Sequence, residues 1–178
     1  VKVLYFSKEV SIISNFTEKK LAYIEEMGQA LGSFGLPKMA GRVYGALLVA
    51  DPPEMSADAL ASVLKASRGS ISTSTRMLEL MGLVERLSKP GERRDYFRNR
   101  PGAWAASMQL RMKAMSLFLQ LADKGLEIVD SDDPEVLEGL LDMKAFFTFM
   151  VTEFPKVLEK WDRAGGKEAE GIKQEGKE

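Results

Sequence analysis

The chain has 178 residues, 45% of them hydrophobic, carries 25 Lys/Arg against 26 Asp/Glu, and contains neither histidine nor cysteine. That length and apolar content suit one domain with helical appendages, while the missing residue types exclude a Ser-His-Asp triad, a cysteine nucleophile, a disulfide framework and a thiolate or imidazole metal cage. No apolar run reaches the ~18 residues of a bilayer span and no signal-peptide pattern is present, so the expectation is a cytoplasmic protein with no cofactor or metal, and not an enzyme.

Residues 1–16 read poorly. Val3, Phe6, Val10 and Ile13 follow helical spacing, yet "VKVLYF" also suits a strand, so this is an N-terminal extension of uncertain structure. Asn15 with Glu18 resembles a capping arrangement for a helix through about Ser33, with Leu21, Ile24, Met27, Leu31 and Phe34 as its apolar side. "FGLP" breaks that helix, and Pro37 suits the first turn of a second one running to Ala50 that buries Met39, Val43, Leu47 and Leu48. "DPPE" stops it, because proline cannot continue a helix.

Ser56 then caps a short helix with Leu60, Ala61 and Leu64 inward, and Ser67 caps another with Ile71, Leu78 and Met81 inward. Gly82 ends the latter as a left-handed stop residue. "LVERL", the turn "SKPGE" and "RRDYFRN" predict a two-stranded ribbon. The order of elements is that of a winged helix-turn-helix: a mostly α protein with a small β-wing, a DNA-binding domain over 17–100, a recognition helix at about 67–81 and a wing at about 83–98.

Pro101 opens a long helix to roughly Val129, with two apolar stripes: Trp104, Met108, Met112, Met115 and Phe118, and Leu110, Leu117 and Leu121. A surface helix normally hides a single stripe, so two imply two partners. The last helix, from about Pro134 to Trp161, repeats the surplus, which predicts a homodimer assembled through residues 101–162. Capping by Asp132 or Asp133 explains "DSDDPE" better than a calcium loop, whose spacing and glycine are missing. Residues 163–178, rich in glycine and charge, are expected to form a disordered tail.

The charge is uneven. Lys65 to Arg100 holds nine Lys/Arg and four Asp/Glu, a net +5, and the rest of the chain carries −6. One compact basic block in a mildly acidic chain points to a polyanion reached through that block. With Ile71, Leu78 and Met81 inward, Arg68, Gly69, Ser72, Thr73 and Arg76 project outward, and Ser70 and Ser74 lie on the flanks. Small hydroxyls allow close approach to a groove wall and bond phosphates or base edges, and Arg76 bonds guanine or clamps a phosphate. Helix-start amides at Ser67 favour phosphate oxygens, and Lys89, Arg93 and Arg94 make the ribbon basic. The expected partner is double-stranded DNA. The alternative is a winged-helix adaptor that uses the same face for an acidic protein.

"LASVLKASRGSISTSTRMLELMGLVERLSKPGERRDYFRNRPGAW" resembles the winged-helix core of the MarR family of bacterial regulators, and more narrowly its GbsR-like branch; "FGLPKMAGRVYGALLVADPPEMS" matches the helix before that core. The resemblance covers about Thr17 to Val129. It implies a dimeric, sequence-specific transcriptional regulator, most often a repressor, on a pseudo-palindromic operator, with Thr73 and Arg76 in the recognition helix and Arg93 and Arg94 at the wing tip. Many members have Asp-x-Arg in the wing, where this chain has Glu92-Arg93-Arg94. The branch also implies a small-molecule effector of the choline type, for which Tyr44, Trp104, Tyr23 and Phe34 could supply rings, with Met108 and Met112 as further lining. Core filling accounts for the same residues.

Overall fold

A computed structural model describes residues 15–92 and 94–175, with the side chains of 166–175 left aside. In chain order the described elements are α1 (Glu18–Ser33), α2 (Lys38–Leu48), β1 (Met55–Ser56), α3 (Ala57–Leu64), α4 (Arg68–Leu80), β2 (Val84–Ser88), β3 (Asp95–Asn99), α5 (Ala103–Ile128) and α6 (Pro134–Glu175). The chain divides into two compact units, one ending at Trp104 and one beginning at Ala105. The extension expected at 1–16 lies almost wholly outside the described residues.

In the first unit α1 and α2 cross closely, and α2, α3 and α4 share one core with the sheet. Ile24, Leu31, Val43, Tyr44, Leu47, Leu60, Leu64, Ile71, Leu78, Leu83 and Phe97 are all buried there. The α1 cap differs from expectation. Thr17, not Asn15, accepts the Lys20 N–H at 3.4 Å, while the Asn15 amide donates to the Asp51 carbonyl at 3.3 Å. Phe34, expected on the apolar side of α1, is 78% exposed, because the helix has ended and Phe34 is already its C-cap.

Ser56 and Ser67 cap α3 and α4 as expected, accepting the N–H groups of Ala59 and Ser70 at 3.1 and 3.2 Å. Lys65 takes a left-handed conformation at the end of α3 (φ 50°), which turns the chain into α4. Gly82 (φ 72°) closes α4, with Leu83 N donating to Leu78 O at 3.0 Å across the stop.

The wing is three-stranded rather than two-stranded. β2 pairs antiparallel with β3 in a register that sets Arg86 opposite Phe97, and β1 adds Met55 opposite Phe97 and Ser56 opposite Tyr96 on the other edge of β3. A two-residue strand has no periodicity to read, so β1 was invisible in the pattern.

Arg42 fastens this frame. Its Nη2 donates to the Leu64 carbonyl at the end of α3 at 3.2 Å, and its Nε lies 2.6 Å from Glu25 Oε1 on α1. Lys38 stands 3.3 Å from the other oxygen of Glu25. Burial pushes the Glu25 carboxyl up, but hydrogen bonds and charge from Lys38 and Arg42 outweigh it and hold it below its ordinary value. A depressed carboxyl stabilises the fold above its unfolded pKa, about 4.3, and the contribution disappears as pH falls through the folded value. Comparison of native protein with Glu25→Gln in urea should therefore show a difference of no more than about 1 kcal/mol at pH 7, since the pair is partly exposed. That difference should shrink as pH falls below the unfolded value, and one that stays constant through the acid range would exclude the ion pair as its source.

In the second unit, α5 and α6 pair antiparallel. Phe118 stacks on Phe147 at 5.0 Å between centroids, and Lys144 reaches Asp123 at 2.7 Å. Asp133 caps α6, accepting the Glu135 N–H at 3.0 Å. α6 runs through Pro155 and on to Glu175. Residues 163–175, expected as a disordered tail, thus continue the helical backbone, their Lys, Glu and Ala being good helix formers, and 176–178 lie outside the described residues. Leu117, Leu121, Leu141, Phe146, Phe149 and Trp161 are all roughly half exposed on this unit.

Candidate nucleic-acid interface

α4 is seated by Ile71 and Leu78, both fully buried, which turns the opposite side outward. Arg68, Gly69, Ser72, Thr73 and Arg76 are exposed and Ser70 is half-buried, as helical geometry requires. Ser74, expected on a flank, is buried, as is Thr75; Met81, expected inward, is only partly so. The hydroxyl of Thr75 donates to the Ser72 carbonyl at 3.1 Å, so the helix itself satisfies this polar group and the core accepts it. The Ser67 hydroxyl is spent on its cap.

The basic residues fall into two groups. Several are partnered inside the protein. Arg68 meets Asp58 of α3 at 2.9 Å. Lys89 pairs with Glu54 and lies over the Tyr96 ring, 4.1 Å from its centroid, while Arg98 pairs across the strands with Glu85. Arg86 donates in parallel to both carboxylate oxygens of Glu79, at 3.0 and 3.0 Å, and to Asp95 at 3.2 Å. The hydrogen bonds to Glu79 hold the Arg86 pKa above its ordinary value. Arg76, by contrast, is exposed and has no ion pair or side-chain hydrogen bond among the described residues.

α4, the start of α3 and the wing enclose a cleft of about 230 Å³. Ser72, Arg76, Arg86, Arg94 and Asp95 are among its walls. The structure thus brings Ser72, Arg76 and Arg94 together, with Thr73 exposed on the neighbouring turn. Arg93 lies outside the described residues. Within the wing, Glu92 accepts from the Tyr96 hydroxyl and Asp95 receives Arg86. Sequence reasoning missed Glu54, Asp58, Glu79, Arg86 and Asp95 as parts of this surface, since pairing between separate elements leaves no local signal.

The residues offered for an effector are placed differently. Tyr44 is a fully buried core residue whose ring meets the half-exposed Trp104 edge-on, 5.8 Å between centroids. Tyr23 and Phe34 are exposed singly, and Met108 and Met112 belong to the second unit.

A capped outward helix beside a three-stranded wing defines a winged helix-turn-helix domain. A family profile described as "MmpR5-like MarR family transcriptional regulator" matches residues 102–164. The HTH-type transcriptional regulator MmpR5 of Mycobacterium tuberculosis (strain ATCC 25618 / H37Rv) is 38% identical over 148 residues, which cover 83% of this chain and 90% of that protein. A crystal structure of a transcriptional regulator, also 38% identical, superposes with a TM-score of 0.74 over 82% of this chain and 99% of that one. The chain belongs to the MarR family of transcriptional regulators, in its MmpR5-like group. Among the described residues no helix is long and apolar enough to cross a membrane.

Proposed function

We propose that this regulator is a homodimer that binds a pseudo-palindromic operator in double-stranded DNA and represses transcription. Two α4 helices enter successive major grooves, about 34–36 Å apart along the duplex. The observation that carries the reading is the outward face of α4: Ser72, Thr73 and Arg76, the last unpartnered among the described residues, bordered by Arg94 across a cleft. Arg68, Gly69 and Ser70 stand at the start of the same helix, where backbone N–H groups favour phosphate. By sequence, Lys89 and Arg93 belong to the same basic stretch.

The half-exposed apolar residues of α5 and α6 support dimerisation through 101–162, because a soluble chain seldom leaves so many large side chains uncovered. A small-molecule effector is part of the proposal. The narrower GbsR-like kinship rests on the small-residue recognition helix, the "GERR-YF" wing and the Pro/Trp-marked start of the long helix.

The test is selection of bound duplexes from a genomic pool, followed by titration across salt. The reading requires a duplex from the protein's own promoter region to be retained in a salt-dependent manner; no retention of any duplex would overturn it. Arg93→Ala with Arg94→Ala should weaken all duplexes alike and reduce the salt slope by about 2, the signature of lost phosphate contacts. Loss of sequence preference from that pair alone would move specificity from the helix to the wing.

A further inference from the structure

Arg86 belongs by sequence to the basic block, yet its guanidinium is turned toward the protein. It bonds the last turn of α4 through Glu79, bonds β3 through Asp95, is itself rooted in β2, and lies 5.5 Å from the centre of the Phe97 ring. One planar cation therefore joins the recognition helix to both long strands of the wing. Glu79 stands one turn beyond Arg76, on nearly the same side of the helix. Rotation of α4 about its axis would swing Arg76 and break the parallel bonds at Glu79 together. Two parallel N–H···O bonds resist such rotation in a way that a single point charge cannot.

We infer that Arg86 is a positioning residue that locks the angle between α4 and the wing, so that groove contacts from Arg76 and backbone contacts from Arg94 fall on one duplex in register. This rests on the DNA-binding reading for its consequence, though not for its geometry. A purely electrostatic role gives the opposite signs. Arg86→Lys preserves the charge, and Glu79→Gln removes a negative charge from a surface facing phosphates, so on electrostatics alone the first is neutral and the second tightens binding.

The lock predicts that Arg86→Lys and Glu79→Gln each lower affinity for the selected duplex about tenfold, the scale of one lost charge-assisted hydrogen bond. Affinity for random duplexes and the salt slope should stay unchanged. A second readout is independent of DNA. The chain has no cysteine, so Leu80→Cys with Ser88→Cys accepts one spin label on the exposed end of α4 and one on β2. Diluted into unlabelled protein, this pair should give one narrow distance distribution, broadened by Arg86→Lys and by Glu79→Gln.

Unchanged distributions, or Arg86→Lys at native affinity with Glu79→Gln binding more tightly, would overturn the inference. So would a lower melting temperature with distances and sequence preference intact, since that is a merely structural role. Glu79→Gln carries the test if Arg86→Lys does not fold. Failure of the native protein to retain any duplex would sink the DNA-binding reading, while the distances would still decide the lock.

Discussion

Arg76→Ala is expected to lower affinity for the cognate duplex by about 10- to 100-fold, the range for one bidentate base contact, while hardly changing affinity for random duplexes. Its neighbours explain why this arginine is chosen. Arg68 is held by Asp58, Arg86 by Glu79 and Asp95, Lys89 by Glu54 and Arg98 by Glu85. Each would have to exchange an internal partner for DNA, whereas Arg76 has none to give up among the described residues. Thr73→Ala, one turn earlier, should shift sequence preference in the same way and by less, since a single hydroxyl is lost. Selection of duplexes from a random pool with native and Arg76→Ala protein checks this. An equal loss on every duplex, with a shallower salt slope, would reassign Arg76 to the phosphate backbone.

Gly41→Ala should destabilise the fold by about 1–3 kcal/mol, the usual cost of overpacking. The sign is informative, because glycine to alanine inside an exposed helix gains about 1 kcal/mol. At this position a Cβ would lie 2.7 Å from the Met27 carbonyl oxygen, 2.8 Å from Gly28 Cα and 3.2 Å from Leu31 Cβ. The first two are backbone atoms of α1, which no side-chain rotation can move. Gly28 and Gly45 lie in the same crossing, where an added Cβ would stand 2.8 Å from Arg42 Cγ and 2.9 Å from Met27 Cβ respectively. Accommodating the methyl group means parting α1 from α2 and disturbing Arg42, whose guanidinium supports the end of α3. Urea unfolding followed by circular dichroism should show a lower midpoint, and an unchanged or higher one would refute the close crossing.

Much of the fold was legible along the chain because its signals are local. Ser56 and Ser67 announce helix starts through hydroxyls that can reach an N–H three residues on, and Gly82 announces a stop through the backbone conformation it permits. Ile71 and Leu78, seven residues apart, settle which way α4 faces, so Ser72, Thr73 and Arg76 could be placed outward without coordinates. Where two local signals competed, the reading slipped: Asn15 and Thr17 both suit a cap, and only the path of the chain toward Asp51 separates them. β1 escaped because two residues carry no period, and Ser74 and Thr75 escaped because a buried hydroxyl looks like a surface one until its partner is known.

What the order of residues determined by itself was the helix-turn-helix and wing, the outward face of α4, and the concentration of positive charge between Lys65 and Arg100. Which of those charges remain available was settled only in three dimensions. Glu54 and Asp58, outside the basic block in the chain, fold back onto it, and Glu79 and Asp95 converge on Arg86 from different elements. Ion pairing acts across a few ångströms of space whatever the separation along the chain, so tertiary structure alone could distinguish an arginine that braces the reading head from one left open to meet a ligand.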